Sequence, residues 1–323
     1  MKNIIYESKL GNSIGEFVKE KRSMGFCYDT EERLLRNFDK FIVDNGFDDG
    51  QISMGLVLEY SKIRSTENKN YRNKRITAVR QFAFYLISMG IEAYLPITQG
   101  SSEKTTPYLM DDSELKVFFY IVDTNVPEKK QYFRYSMMYP VLFRLIYGCG
   151  LRISEACNLR CENINLPSGT LKILQSKGNK DRIVYLSEDL RELCSRYDSQ
   201  INALIPHRKW FFPGRNTQSP LPITTADLKF KQFWYQMPNA SQKGKTPTVH
   251  GLRHLFVVNT INKWIHRGKD VDSLLLYLAK YLGHTSPPET LYYYHQVVFS
   301  GSLTHNKDSI RERVIPEVIC YED

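Results

Sequence analysis

The sequence predicts a mainly α protein of two domains, a helical N-terminal one and a larger, mostly helical one that bears a small antiparallel β-sheet. Three observations predict it. Apolar residues recur at helical spacing through most of the N-terminal third. Residues 96 to 107, PITQGSSEKTTP, then show no apolar periodicity and have the composition of an exposed linker. Beyond them, two short β-branched segments around a Gly-Asn turn signal interrupt further helical pattern. A chain of 323 residues can fill two cores, and the linker sets the domains at 1–103 and 104–323.

In order, the first helix covers about 12 to 26, with Ile14, Phe17, Val18 and Lys21 on neighbouring turns. Asp29 with Glu32 three residues later reads as a capping-box start. Leu34, Leu35, Phe38, Phe41 and Ile42 follow at helical spacing until Asn45-Gly46 stops the run. A third helix covers about 54 to 64 and a fourth about 68 to 89, the latter with Ile76, Val79, Phe82, Phe84 and Leu86 as apolar surface. After the linker, Asp111 or Asp112 caps a helix through Val122, and Tyr135 to Tyr147 is a strongly apolar helix. Thr170 to Gln175 and Arg182 to Leu186 form the hairpin. A Pro/Gly-rich passage around 213 to 222 precedes helix from about 225, and Leu274 to Leu282 is helical again. Ser286 before Pro287 and Pro288 reads as an N-cap, with helix from Glu289.

Hydrophobic content of 42% and charged content of 24% suit a soluble globular protein. No apolar run approaches the roughly 18 residues that cross a bilayer, and the N-terminus lacks a signal-peptide core, so a cytoplasmic protein without membrane attachment is expected. The six cysteines include no C-x-x-C pair, which points to reduced thiols and neither a disulfide framework nor a zinc site. The net charge of +9 is uneven: residues 1 to 103 hold 15 Lys and Arg against 14 Asp and Glu, leaving +8 on the remainder. That balance favours a polyanionic partner, nucleic acid or an anionic membrane surface. Within the N-terminal domain the basic residues cluster between Lys62 and Arg80, with Glu67 as the acid among them. On a helix, Lys69, Arg72, Lys74, Arg75 and Arg80 would meet DNA phosphates with Tyr71 interleaved; the plain alternative is a solvated charged face.

Four stretches suit a single chemistry. They are Gly150-Leu151-Arg152-Ile153-Ser154-Glu155, then Ser176-Lys177-Gly178-Asn179-Lys180-Asp181-Arg182, then His250-Gly251-Leu252-Arg253-His254, and finally Tyr281-Leu282-Gly283-His284 running on to Thr290-Leu291-Tyr292-Tyr293-Tyr294-His295. Weak singly and specific in combination, they resemble the tyrosine recombinase (phage integrase) family over roughly residues 106 to 300.

A phosphodiester resists attack because its non-bridging oxygens repel nucleophiles and its leaving alkoxide is basic. An enzyme working without a metal supplies cations for the developing charge and an acid for the leaving oxygen. Arg152 and Arg253 suit the first task, His250 and Lys177 suit proton handling, and Tyr293 suits the nucleophile. The resemblance implies that Tyr293 forms a 3′-phosphotyrosyl link and frees a 5′-hydroxyl, that Lys177 protonates the leaving oxygen, that His250 acts on the tyrosine proton and that His284 hydrogen-bonds the phosphate. The bond energy stays in the covalent link, so no metal, ATP or other cofactor is implied.

Each role has a plainer rival. Arg152 could pair with Glu155 or cap the preceding helix. Lys180 rivals Lys177, which the resemblance prefers as the lysine just before Gly-Asn. His250 and His254 are four apart and could share a metal, but the zinc-protease pattern needs Glu at 251, where glycine stands. His284 could be a core histidine, although it stands nine residues before Tyr293 as in the family. Tyr292 and Tyr294 lie one helical step from Tyr293 and point elsewhere, and a helix starting one residue later would select Tyr294. Pro287-Pro288-Glu289 and Tyr294 depart from the family pattern.

The resemblance also implies partners: double-stranded DNA with a specific core site, and a homotetramer in the synaptic complex built from protomers that are monomeric when free. A helical, SAM-like core-binding domain and the catalytic domain would close on DNA as a clamp. A first helix starting near residue 13 leaves no room for a separate arm-binding domain, as in two-domain Xer proteins and transposon-borne integrases, and the output would be integration, excision or transposition of a mobile element. Residues 309 to 319 are candidates for docking on a neighbouring protomer, or on their own domain. Two other readings are a type IB topoisomerase-like nicking-closing enzyme and a non-catalytic DNA-binding accessory protein.

Overall fold

Caps and captured carbonyls decide where the helices begin and end. The computed structural model describes residues 6–65, 67–98, 107–127, 129, 132–176, 180–238, 240, 244 and 246–283. The expected helix from Glu289, the tyrosine run and residues 309–319 lie outside them. The chain divides into two units, Met1–Thr106 and Pro107–Asp323.

The first unit is α1 (Gly11–Ser23), α2 (Asp29–Asp44), α3 (Met54–Tyr60) and α4 (Lys69–Ser88). Its core joins Ile14 and Phe17 of α1, Leu35 and Phe38 of α2, Leu56 of α3, and Phe82 and Leu86 of α4. Asp29 and Glu32 do not form the expected capping box. Tyr28 takes the N-cap position without a side-chain cap, and both carboxylates instead bind Arg22 of α1, at 2.8 and 2.9 Å. An inter-helix cation outcompetes the local amides for them.

The basic run of α4 corrects a second expectation. Arg72 and Arg75 fall on the stripe of Ile76, Val79 and Ala83, the buried side of the helix. Arg75 is 1% exposed; it pairs with Glu67 at 2.6 Å, donates to the Tyr60 and Lys62 carbonyls, and lies over the Tyr60 ring at 4.5 Å. Arg72 donates to the Ser61 carbonyl. These captured carbonyls also explain why α3 stops at Tyr60 rather than near 64: acceptors of its last turn are satisfied by guanidinium. Arg80 donates to the Pro96 carbonyl at 2.5 Å and lies over Phe84, which is exposed rather than packed. Lys69 and Lys74 are exposed.

The second unit starts with α5 (Asp112–Thr124), for which Asp111 and Glu114 make a complete capping box. Next come α6 (Phe133–Cys149) and the short α7 (Ile153–Cys157), then the strands β1 (Ile164–Asn165), β2 (Thr170–Ser176) and β3 (Lys180–Tyr185). These strands form an antiparallel sheet in the order β1-β2-β3, with Thr170 opposite Tyr185 and Ile173 opposite Arg182. Helices α8 (Glu188–Leu204), α9 (Ile223–Tyr235), α10 (Val249–His266) and α11 (Val271–Leu282) complete it. Helix α8 has no counterpart among the expected elements, although Leu190, Cys194, Tyr197 and Ile201 give it a buried stripe at helical spacing.

Helix α6 is the hub, packed on α5, α7, α8 and α10. Phe118, Phe143, Phe230 and Phe233 interlock α5, α6 and α9. Helix α10 is buried from Gly251 to Ile261 on all sides, and where it meets α11 a smaller cluster forms from Phe256, Val257, Ile261, Leu278 and Leu282. Among the described residues no helix is long and apolar enough to cross a membrane.

Candidate active site

Two helices of the second unit end on glycines in the left-handed region, where a β-carbon is disfavoured. Helix α6 ends at Gly150 (φ 62°), and a Cβ there would lie 2.5 Å from a ring carbon of Phe256. Helix α11 ends at Gly283 (φ 65°). The carbonyls at such helix ends carry partial negative charge, and two arginines distant in sequence answer it. Arg253, on α10, donates from Nη1 to the Gly150 carbonyl at 2.6 Å and from Nη2 to the Leu282 carbonyl at 2.8 Å. Arg152, just after α6, donates from Nη2 to the Gly283 carbonyl at 2.8 Å. Arg253 is 1% exposed, whereas the Arg152 side chain retains 17% exposure.

Arg152 also pairs with Glu155, as its plainer reading held. Its Nη1 meets Glu155 Oε1 at 2.8 Å, and its backbone N–H donates to Oε2 at 2.8 Å, closing the start of α7. The same fork spans both the carboxylate and the Gly283 carbonyl. Burial opposes the charge on Glu155, but the hydrogen bonds and charge of Arg182, with the contribution of Arg152, hold its carboxyl below the ordinary carboxylate range.

His250 sits in the first turn of α10, after the N-cap Thr248, whose hydroxyl accepts from the Gly251 N–H at 3.2 Å. It lies three positions before Arg253, so the two share a helix face. The protein packed about the ring, then the charges of Arg253 and of Arg152, push its pKa below the ordinary imidazole value, although the residue is exposed. A neutral imidazole beside two guanidiniums can accept a proton. The rings of His250 and His254 meet edge to face at 4.5 Å; among the described residues no group of three His, Cys, Asp or Glu could hold a metal ion.

The structure thus brings Arg152, His250 and Arg253 to one place. Lys177, between β2 and β3, lies outside the described residues, as do His284 and Tyr293 with its neighbours Tyr292 and Tyr294. Lys69, Arg72, Lys74, Arg75 and Arg80 belong to the other unit.

The profile of the phage integrase family matches residues 110–298, more than half of the chain. The chain belongs to that family. A tyrosine recombinase of Pseudothermotoga lettingae is 25% identical over 270 residues, which cover 81% of this chain and 85% of that protein. Tyrosine recombinase XerD of Shewanella oneidensis is 26% identical over 271 residues, 81% of this chain and 83% of the relative. Among solved structures, the XerH site-specific recombinase bound to difH substrate shares the fold with a TM-score of 0.62 at 18% identity, over 91% of this chain and 84% of that one. The Tn1549 transposon integrase in complex with transposon right end DNA does so with a TM-score of 0.63 at 13% identity, over 90% and 98%.

Within this phage integrase site, two features escaped the sequence. Arg182 was quoted in a motif but given no role, and it binds Glu155 with both Nη atoms at 2.9 and 2.7 Å. Its signal was present: a charged residue two before Val184 sits on the covered face of a strand. The backbone carbonyls of Gly150, Leu282 and Gly283 carry no side-chain signature, and only the convergence of α6, α10 and α11 reveals them. Tyr281, the nearest described tyrosine to the family motif's end, is stacked on Phe256 at 5.7 Å. Burial drives its hydroxyl pKa well up.

Proposed function

We propose that this site-specific recombinase of the tyrosine type attacks a DNA phosphodiester with Tyr293, leaving a 3′-phosphotyrosyl link and a 5′-hydroxyl that returns to reseal the same strand or a partner strand. Arg152 and Arg253 hold the non-bridging oxygens and stabilise the developing charge, Lys177 protonates the leaving 5′ oxygen, His250 takes the tyrosine proton and His284 bonds the phosphate. One observation carries this reading: Arg152 and Arg253 converge, through the carbonyls of Gly283 and Leu282, on the residues that directly precede His284.

The finer biology follows the same line. The substrate is double-stranded DNA with a specific core site, the synaptic complex is a homotetramer of protomers that are monomers when free, the output is movement of a mobile element, and the protein acts in the cytoplasm. The DNA-bound states of XerH and the Tn1549 integrase support the DNA partner. The first 103 residues serve as the helical core-binding domain and residues 104–323 as the catalytic one, with Lys69 and Lys74 meeting phosphates.

The test is covalent trapping on DNA nicked beside its cleavage position, so that the released fragment diffuses away. A denaturant-stable adduct is expected with wild type and with Tyr292→Phe and Tyr294→Phe, and none with Tyr293→Phe. Loss in Tyr294→Phe alone would move the nucleophile by one residue; binding without any adduct would overturn the reaction.

A further inference from the structure

Arg182 is anomalous for a strand. In β3 it alternates with Ile183 and Tyr185, which are 51% and 53% exposed, and shares its face with Val184, which is 0% exposed. Its own side chain is 8% exposed. A cation on the covered face of a sheet requires a compensating charge, and Glu155 supplies it through a two-pronged bond. That carboxylate already serves Arg152 twice.

The charge count gives the arrangement a meaning beyond packing. Arg152 with Glu155 alone sums to zero, and at short range a neutral pair attracts a phosphate far less than a bare guanidinium does. Adding Arg182 leaves the trio at +1. Burial of Glu155 weakens screening by water, so the balance is felt at full strength on the exposed side of Arg152. The trio is also geometrically tied to the end of α11: a Cβ built at Gly283 would lie 3.1 Å from Arg182 Nη1 and 3.5 Å from Arg152 Nη1.

We propose that Arg182 is a positioning residue of the recombinase: it neutralises Glu155 so that the charge of Arg152 is available to the DNA phosphate, and it latches the β2–β3 hairpin to that arginine through the shared carboxylate. The inference rests on the phosphodiester-cleaving reading above.

The experiment uses the full chain and nicked DNA, and measures the rate of adduct formation and DNA affinity separately, with folding followed by circular dichroism. Arg182→Gln should slow adduct formation by about tenfold or more while DNA affinity, spread over many phosphate contacts, changes less. Arg182→Lys, which keeps the charge that offsets Glu155 but loses the fork, should be clearly less impaired than Arg182→Gln. Combining Arg182→Gln with Glu155→Gln restores the net charge and should recover much of the lost rate, an outcome that a purely structural role does not produce. The inference is overturned if the folded double variant is as slow as Arg182→Gln, if Arg182→Lys is as slow as Arg182→Gln, or if Arg182→Gln reacts normally while wild type forms its adduct. A wild type that forms no adduct removes the recombinase reading, and this inference with it.

Discussion

Arg152 donates through Nη2 to the carbonyl oxygen of Gly283 at 2.8 Å, across 131 residues of chain. The turn after α6 is thereby stitched to the last turn of α11. Gly283→Ala should expose this dependence. Its φ of +65° disfavours a side chain, and the new Cβ would press on the Arg182 guanidinium at 3.1 Å, with Arg152 in ordinary contact at 3.5 Å. A stability loss of about 1–2 kcal/mol is expected from the backbone conformation, together with slower adduct formation at nearly unchanged DNA affinity. Chemical denaturation and the trapping assay measure the two effects.

Arg253 joins two helix ends and, on the proposed reading, also holds the phosphate, so its substitutions should separate charge from shape. Arg253→Ala leaves the Gly150 and Leu282 carbonyls without this donor, and a cost of about 2–4 kcal/mol is expected. Arg253→Lys keeps the charge but cannot span both carbonyls; cleavage should fall by about 10²–10³-fold with a smaller stability loss. An Arg253→Lys enzyme that cleaves at the wild-type rate would contradict the assignment.

His250 makes stability depend on pH in a definite direction. Its folded pKa lies below the unfolded value of about 6.5, so below that pH the unfolded chain binds the proton more readily. The neutral form's contribution is complete above about pH 6.5 and is lost as the pH falls through the window beneath it. His250→Gln should flatten the pH dependence of the urea midpoint in that window and leave it unchanged above.

In the first unit, the basic residues of α4 should fall into two classes. Removing Arg75 strands Glu67, whose side chain is 3% exposed, and should cost about 3–5 kcal/mol; its effect on DNA affinity should appear only through unfolding. Lys69→Ala and Lys74→Ala should each lower the slope of log affinity against log salt by about 1 with little change in the melting temperature. Equal salt slopes for wild type and both lysine variants would exclude them as phosphate contacts.

The contrast between Arg75 and Arg152 shows what a sequence discloses. Local rules reached a cap at Asp111 or Asp112, the β2–β3 pairing and the Arg152–Glu155 pair, since each depends on residues a few positions apart, but not the Glu114 half of the capping box. Arg72 and Arg75 were legible too, for they share their stripe with Ile76, Val79 and Ala83; weighting charge above period hid it. Asp29 and Glu32 were misread because a cation from another helix claims them, and the Gly150, Leu282 and Gly283 carbonyls depend on tertiary convergence that no local pattern encodes.

The two glycine-ended helices have a thermodynamic consequence. A guanidinium at the end of a long side chain normally loses conformational entropy when it captures a phosphate, about 1 kcal/mol for each immobilised side chain. Here Arg152 and Arg253 are already fastened to backbone carbonyls, so that ordering is accomplished during folding. On the proposed reading both forks would meet DNA preorganised, and discrimination between a good and a poor target site would come from base edges and DNA deformability rather than from how readily these cations settle.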